Sequence, residues 1–304
     1  MRTTGKRRLK QHKTRRTVLE IIKNKALLLK LRHPKQVTTA IPKSHKVDDN
    51  NVLVKWGVDE SHVLKNLNIK VPSPIKGQYD WPGQHKPFEH QKETSAFLTM
   101  NRKAFCFNEQ GTGKTASAIW ASDFLMKQGA IKRVLVICPL SIMDSAWRSD
   151  LFSFAMHRSV DIAYGSPDKR RKIIDGGAEY VIINYDGVAI VKDDIANGGF
   201  DLIIVDEATH YKNAQTTRWK TLNKILKPDT WLWMMTGTPA AQSPLDAYGL
   251  AKLINPTEVP RFFGSFRDMV MYKVSNFKWI PKDTAISTVF NALQPAIRYT
   301  KEDC

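Results

Sequence analysis

The chain has 304 residues, 42% of them hydrophobic, and carries a net charge of +18; its pI is near 9.8. That length and apolar share give one or two domains with a sizeable core, and the charge favours a polyanionic partner. No apolar run approaches the roughly 18 residues a membrane span needs, no apolar h-region follows the basic N-terminus, and Cys106, Cys138 and Cys304 have no metal spacing, which excludes a membrane span, a secretory signal and a cysteine metal site and predicts a soluble, cytoplasmic protein.

The charge is concentrated at the start. Residues 1–46 hold 15 Lys or Arg against one acid, Glu20, and so account for +14 of the +18. Residues 1–16 are a basic run without apolar periodicity, a composition that predicts disorder in the free chain. Thr17 to Arg32 places Val18, Ile21, Ile22, Leu27, Leu28 and Leu31 among lysines, and reads as a helix. Together these form a basic N-terminal arm over 1–46, suited to nucleic acid by charge. Residues 47–86 read as a connector or small accessory segment, with a strand at Val52–Trp56 and an extended, proline-marked stretch from Val71 to Gly83.

A globular body is expected over 87–304. Pro87-Phe-Glu-His-Gln91 leads into a helix, and Gln91 lies 23 residues before Lys114, placed to read an adenine edge. Arg102 to Phe107 reads as a buried strand. Asn108-Glu-Gln110-Gly111-Thr112-Gly113-Lys114-Thr115 follows, and then an amphipathic helix. Strand, glycine-rich turn, Lys-Thr and helix start is the order of a phosphate-binding loop. Gly111 and Gly113 let backbone N–H groups turn inward, the helix start favours anions, Lys114 reaches terminal phosphates and Thr115 holds Mg²⁺. Asn108 stands where the general pattern has glycine.

Further apolar runs, each followed by a helical stretch, occur at Arg133–Cys138, Val160–Tyr164, Tyr180–Asn184, Asp201–Val205 and Thr230–Met235. Ser141 is placed to cap the helix after the first, with Trp147 and Leu151 on its inner face. Near-continuous apolar strands alternating with helices predict an α/β, doubly wound, mostly parallel sheet. Ligands of such sheets bind beyond the carboxyl ends of the strands. Five polar clusters fall there: the loop, Pro139 to Ser141, Asn184 and Tyr185, Asp206 and Glu207, and Thr236-Gly237-Thr238. Asp206 ends an apolar strand 92 residues after Lys114, positioned to bind Mg²⁺ opposite Thr115; Glu207 is positioned to orient or deprotonate an attacking water. The reaction these residues suit is hydrolysis of ATP, with Lys114 and Mg²⁺ neutralising charge on the phosphates.

Taken together, residues 87–304 resemble the first RecA-like lobe of superfamily-two helicases, with particular likeness to Swi/Snf-type DNA translocases, and to a DEAD/DEAH-like helicase of tailed bacteriophages. Asn-Glu-Gln-Gly-Thr-Gly-Lys-Thr resembles the family's Asp-Glu-Met-Gly-Leu-Gly-Lys-Thr loop. Asp206-Glu-Ala-Thr-His-Tyr-Lys-Asn213 resembles Asp-Glu-Ala-His-x-x-Lys-Asn, with Thr209 at the family's histidine position and His210 next to it. Thr236-Gly-Thr-Pro-Ala240, the Leu245–Leu253 helix, and Leu293 to Asp303 resemble later parts of the lobe. The resemblance implies coupling roles for His210, Thr236, Gly237 and Thr238, and sequence-independent DNA contacts at Pro139, Ser141, Asn184 and Tyr185. It also implies a second RecA-like lobe, no motifs of which appear in these residues, so that the chain reads as an N-terminal half with poor turnover alone. A DEAD-box-like RNA helicase, and a basic nucleic-acid-binding protein with a vestigial nucleotide site, are the rival readings.

Overall fold

The computed structural model describes residues 18–239, 242–275 and 278–304; the basic run at 1–16 lies outside them. The chain divides after Val71 into two compact units.

In the first unit, β1 (Val18–Ile22) and β2 (Ala26–Lys30) form an antiparallel hairpin. A short helix α1 (Pro34–Ala40), β3 (His45–Lys46), β4 (Asn51–Lys55) and α2 (Val58–Asn66) follow, and the sheet order is β1-β2-β4-β3. Where the sequence reads as a helix over Thr17–Arg32, the described residues Val18–Lys30 form a hairpin. Its loop has Lys23 and Asn24 at φ 49° and 54°, the left-handed region that reverses a chain and that asparagine tolerates. Leu27 and Leu29 alternate inward to meet Val52, Val54, Trp56 and Leu64 in a small core of their own. Of what reads as a basic arm, residues 18–46 thus belong to a folded unit of sheet and helix.

The second unit opens with α3 (Ile75–Gln78), a four-residue helix within the stretch expected to be an extended connector. This stretch is fastened to the body: Ser73 Oγ lies 2.6 Å from Thr99 Oγ1, Tyr79 donates its hydroxyl to Asp123, and Trp120 donates its indole N–H to Pro82 O. Then come α4 (Glu89–Thr99), β5 (Lys103–Cys106), α5 (Lys114–Lys127), β6 (Val134–Cys138), α6 (Ser149–Phe154), β7 (Val160–Ile162), α7 (Pro167–Asp175) and β8 (Tyr180–Asn184). The chain continues through α8 (Tyr185–Ile190), α9 (Lys192–Asn197), β9 (Leu202–Asp206), α10 (Thr217–Ile225), β10 (Trp231–Met235) and α11 (Ala247–Ile254). It ends with α12 (Phe263–Val270), a hairpin of β11 (Met271–Lys273) and β12 (Trp279–Pro281), α13 (Ala285–Ala292) and β13 (Ala296–Ile297).

Seven strands form one sheet in the order β13-β5-β10-β9-β6-β8-β7, and each pairing in it is parallel. The apolar runs predicted this because both faces are covered. Phe105, Leu135, Ile137, Val181, Val205, Leu232 and Met234 pack on one face, and their neighbours Val134, Val136, Ile182, Ile204 and Trp233 are equally buried on the other. At about 25 cal/mol per Å², covering two faces rather than one is what makes so short a set of strands the anchor of the unit. The chain crosses from β5 over two strand positions to β6, and β9 and β10 later fill the gap. In that register Cys106 pairs with Met235, and Met235 with Asp206. The ends of β5 and β9 therefore lie about 10 Å apart, two strand spacings, at the same carboxyl edge.

Candidate functional site

The loop after β5 has the conformation its glycines predict. Gly111 and Gly113 sit at φ +90° and +79°, where a Cβ is strained. A Cβ on Gly113 would in addition collide with the Gln91 side-chain amide. Gln91, expected beside an adenine, holds the loop: its Oε1 accepts the Phe88 N–H at 3.0 Å and its Nε2 donates to Thr112 O at 3.3 Å. His90 Nε2 lies 2.9 Å from that same carbonyl. Thr112 Oγ1 and Lys114 Nζ both donate to Glu109 O, at 2.8 and 3.1 Å. Gln110 is exposed at the crest, and Thr115 is half-buried in the first turn of α5.

Asn108, the departure from the usual glycine, is wholly buried. It donates to Thr94 Oγ1 at 2.8 Å and accepts the Tyr299 N–H at 3.0 Å. The loop is thereby tied to α4 on one side and to the segment after β13 on the other. That segment follows the loop closely, since Glu109 N–H donates to Tyr299 O and the Lys301 N–H to Glu109 Oε2.

Asp206 ends β9 and is 7% exposed. Trp147 Nε1 donates to Oδ2 at 2.9 Å, the Glu207 N–H donates to Oδ1 at 3.0 Å, and the Tyr185 hydroxyl donates to its backbone carbonyl at 2.5 Å. Burial pushes the Asp206 carboxyl above its ordinary range, and the Trp147 bond, the Glu207 N–H and the Lys114 charge act against it. Glu207 takes φ 50°, a left-handed conformation uncommon away from glycine, which turns the chain sharply out of β9. Its Oε2 lies 3.5 Å from Thr236 Oγ1. Thr236 is buried, Thr238 N–H donates to its Oγ1, and Gly237 lies against the backbone of Asn108 to Gln110. The turns after β5, β9 and β10 therefore meet.

The remaining candidates fall on the next two turns. Pro139 leads a 3₁₀ turn, Leu140–Ile142, in which Leu140 and Ser141 are exposed. Ser141 does not cap a helix; its carbonyl accepts the Ser145 hydroxyl within the π-helical turn Met143–Arg148 that precedes α6. Asn184 Oδ1 accepts from Arg170, and Tyr185 is 8% exposed with its hydroxyl committed inward to Asp206. His210 packs on Tyr185, ring centroids 4.6 Å apart, and Arg218 covers the same ring at 4.8 Å while pairing with Asp186. Burial and then the Arg218 charge hold the His210 pKa below its ordinary value, so the ring is neutral near pH 7.

This donor set fits a magnesium nucleotide. No group of three or more His, Cys, Asp or Glu side chains capable of holding a metal occurs among the described residues. Mg²⁺ in phosphate sites takes one or two protein ligands and completes its shell with water and phosphate oxygens. One rigid carboxylate, one hydroxyl at a helix start and one lysine are what that arrangement needs. The sequence pointed to these residues individually, but not to Trp147 as a partner of Asp206, to Asn108 as a tie, or to Arg218 over Tyr185. Separations such as the 59 residues between Trp147 and Asp206 leave no local signal. No helix of the described residues is long and apolar enough to cross a membrane.

Residues 90–295 match the model of the SNF2-related domain. A Xenopus laevis protein, SWI/SNF-related matrix-associated actin-dependent regulator of chromatin subfamily A-like protein 1, is 28% identical over 185 residues, which are 59% of this chain and 18% of that protein. A Bacillus subtilis protein described as uncharacterized ATP-dependent helicase YqhH is 24% identical over 174 residues, 56% of this chain and 29% of that one. Among solved structures, the Sulfolobus solfataricus SWI2/SNF2 ATPase core in complex with dsDNA superposes with a TM-score of 0.63 at 22% identity, over 73% of this chain and 46% of that one. The chain thus spans less than a third of the length of these two relatives and about half of the solved core.

Proposed function

Since this chain belongs to the SNF2-related domain family, with the fold of a RecA-like lobe, we propose that it is the ATP-binding first lobe of an ATP-dependent DNA translocase or helicase. The observation that carries the reading is the meeting of three strand-end turns. Cys106 and Asp206 lie at the same sheet edge on either side of Met235, Glu207 reaches Thr236, and Gly237 lies against the backbone of the loop that leads to Lys114.

In this reading the backbone around Gly111, Thr112 and Gly113 wraps the phosphates, and Lys114 leaves Glu109 O to neutralise the terminal ones. Thr115 and Asp206 would hold Mg²⁺, which supplies charge neutralisation at the phosphate oxygens when bound. Glu207 orients a water for in-line attack, and Thr236, within reach of Glu207, links that water to the turn after β10. Gln91 braces the loop from α4 and lies beside the place for the base. The exposed Pro139–Ser141 turn, and the backbone at Asn184, are the proposed contacts to DNA phosphates. Tyr185 and His210 connect the second of these turns to Asp206. The solved relative's dsDNA complex supports duplex DNA as the polyanion. The basic residues of 1–46 add attraction that falls steeply with salt.

The test is a pair of variants measured for binding and hydrolysis separately. Lys114→Ala is expected to lose fluorescent ATP binding. Glu207→Gln is expected to bind as the parent does and to lose the residual DNA-stimulated hydrolysis. Parental hydrolysis by Glu207→Gln would overturn the assignment of the attacking water, and parental binding by Lys114→Ala would overturn the nucleotide site itself.

A further inference from the structure

Trp147 is fully buried and lies on a single π-helical turn, Met143–Arg148, set between a 3₁₀ turn and α6. Such turns insert an extra residue, change which side chains face inward, and concentrate at functional sites. Here the residue turned inward is an indole whose N–H meets Asp206 Oδ2 at 2.9 Å. Other tryptophans of this fold satisfy their N–H groups on main-chain carbonyls: Trp120 on Pro82, Trp219 on Gly249 and Trp233 on Asn101. A backbone acceptor suffices to bury an indole. A carboxylate acceptor, reached through a distorted helix, does something further.

A terminal carboxylate turns readily about χ2, which is broad and nearly two-fold. Oδ1 of Asp206 is held by the next residue's N–H, and Oδ2 by Trp147. Anchoring both oxygens fixes the plane of the group. Lys114 does not serve as an anchor, because its Nζ is bonded to Glu109 O. Each carboxylate oxygen keeps further acceptor capacity after one such bond.

We propose that Trp147 is a positioning residue for the metal-binding carboxylate, its indole N–H holding Asp206 in the one orientation that presents its remaining lone pairs to the phosphate loop. The proposal rests on the reading of Asp206 as a Mg²⁺ ligand given above. Hydrogen-bond partners of metal ligands are worth 10- to 100-fold in metal affinity.

The experiment compares the affinity of the 304-residue chain for a fluorescent ATP analogue in Mg²⁺ and in EDTA. Trp147→Phe is expected to leave the EDTA affinity near the parent's and to reduce the Mg²⁺-dependent gain about tenfold. Manganese bound with the nucleotide should show an altered electron paramagnetic resonance spectrum in the same variant. Trp233→Phe, which also removes a buried indole but bonds Asn101 O, is the control and should keep the parental gain. If Trp147→Phe does not fold, replacing Trp147 by its benzothienyl isostere keeps the volume and removes only the N–H. A Mg²⁺-dependent gain unchanged in Trp147→Phe or the isostere, or a loss of affinity equal in Mg²⁺ and EDTA, overturns the positioning role. Asp206→Asn separates the two readings. If it too keeps the parental gain, the metal assignment of Asp206 fails; if it alone loses the gain, only the role of Trp147 fails.

Discussion

Replacing Asn108 with alanine tests whether the first residue of the loop is a structural tie. The side chain is wholly buried and makes two bonds outside its own segment, to Thr94 Oγ1 at 2.8 Å and from the Tyr299 N–H at 3.0 Å. The Thr94 bond is buried on both sides, and its loss should cost about 1–2 kcal/mol. The Tyr299 amide is only half-buried, so water recovers part of its loss and about 1 kcal/mol is appropriate. Asn108→Ala should therefore destabilise by about 2–3 kcal/mol, read as a lower urea midpoint at constant slope. Thr94→Val removes the same first bond from the other side, so the double variant should show a coupling of about 1 kcal/mol. Hydrogen exchange supplies the local readout: the Tyr299 amide should exchange faster in Asn108→Ala and at the parental rate in Thr94→Val. A loss below about 0.5 kcal/mol, or an unchanged Tyr299 amide, would refute the tie.

Two further outcomes concern the loop and a buried acid. Gly113→Ala combines φ +79° with a collision at Gln91, so ATP-analogue affinity should fall at least tenfold, and a parental titration would count against the loop as the phosphate site. Asp123 is buried and receives Tyr79, Arg158 and His157 at 2.6, 2.6 and 2.8 Å. Burial alone would raise its pKa, but the Tyr79, Arg158 and His157 bonds outweigh it and hold it below the ordinary 3.8. An acid lowered on folding adds stability that is fully present above its unfolded value and is lost as pH falls through the folded one. Asp123→Asn should thus cost about 3–5 kcal/mol near pH 7, and its deficit should shrink below about pH 4; a deficit independent of pH from 7 to 3 would show that the charge plays no part.

The central sheet was legible because strands buried on both faces leave a continuous apolar run with little else to mistake it for. The site was legible for a related reason. A polar residue immediately after such a run, as Asp206 follows Val205, must lie at the carboxyl edge whatever the helices do. The stretch from Thr17 to Arg32 failed as a helix because its apolar residues satisfy both periods over so short a window. The deciding signal was Lys23-Asn24, which adopts the left-handed turn without the glycine that usually announces it. Ser141 failed as a cap because the chain after β6 enters its helix through 3₁₀ and π turns, and hydroxyl capping presumes a regular first turn. The residues that finish the site were silent for a different reason. Trp147, Tyr185 and Arg218 are ordinary members of an apolar or basic helical face until tertiary contact gives each a partner.

Two of these side chains converge on Asp206. Trp147 follows the exposed turn that begins at Pro139, and Tyr185 begins the helix after β8; the first bonds the Asp206 side chain and the second its main chain. These are the two turns proposed to face DNA. A displacement of either by a bound phosphate backbone cannot leave both the hydrogen bond and the position of Asp206 unchanged. Because packed interiors shift between discrete arrangements rather than deform smoothly, a fixed link of this kind transmits a small movement better than a flexible contact would. Thr236 supplies the third connection, from Glu207 to the turn that lies against the phosphate loop. The proposed coupling of nucleotide to DNA thus needs no long pathway: the residue whose carboxylate is expected to hold the metal is also the point at which the two turns proposed to face DNA are fastened, one to its side chain and one to its main chain.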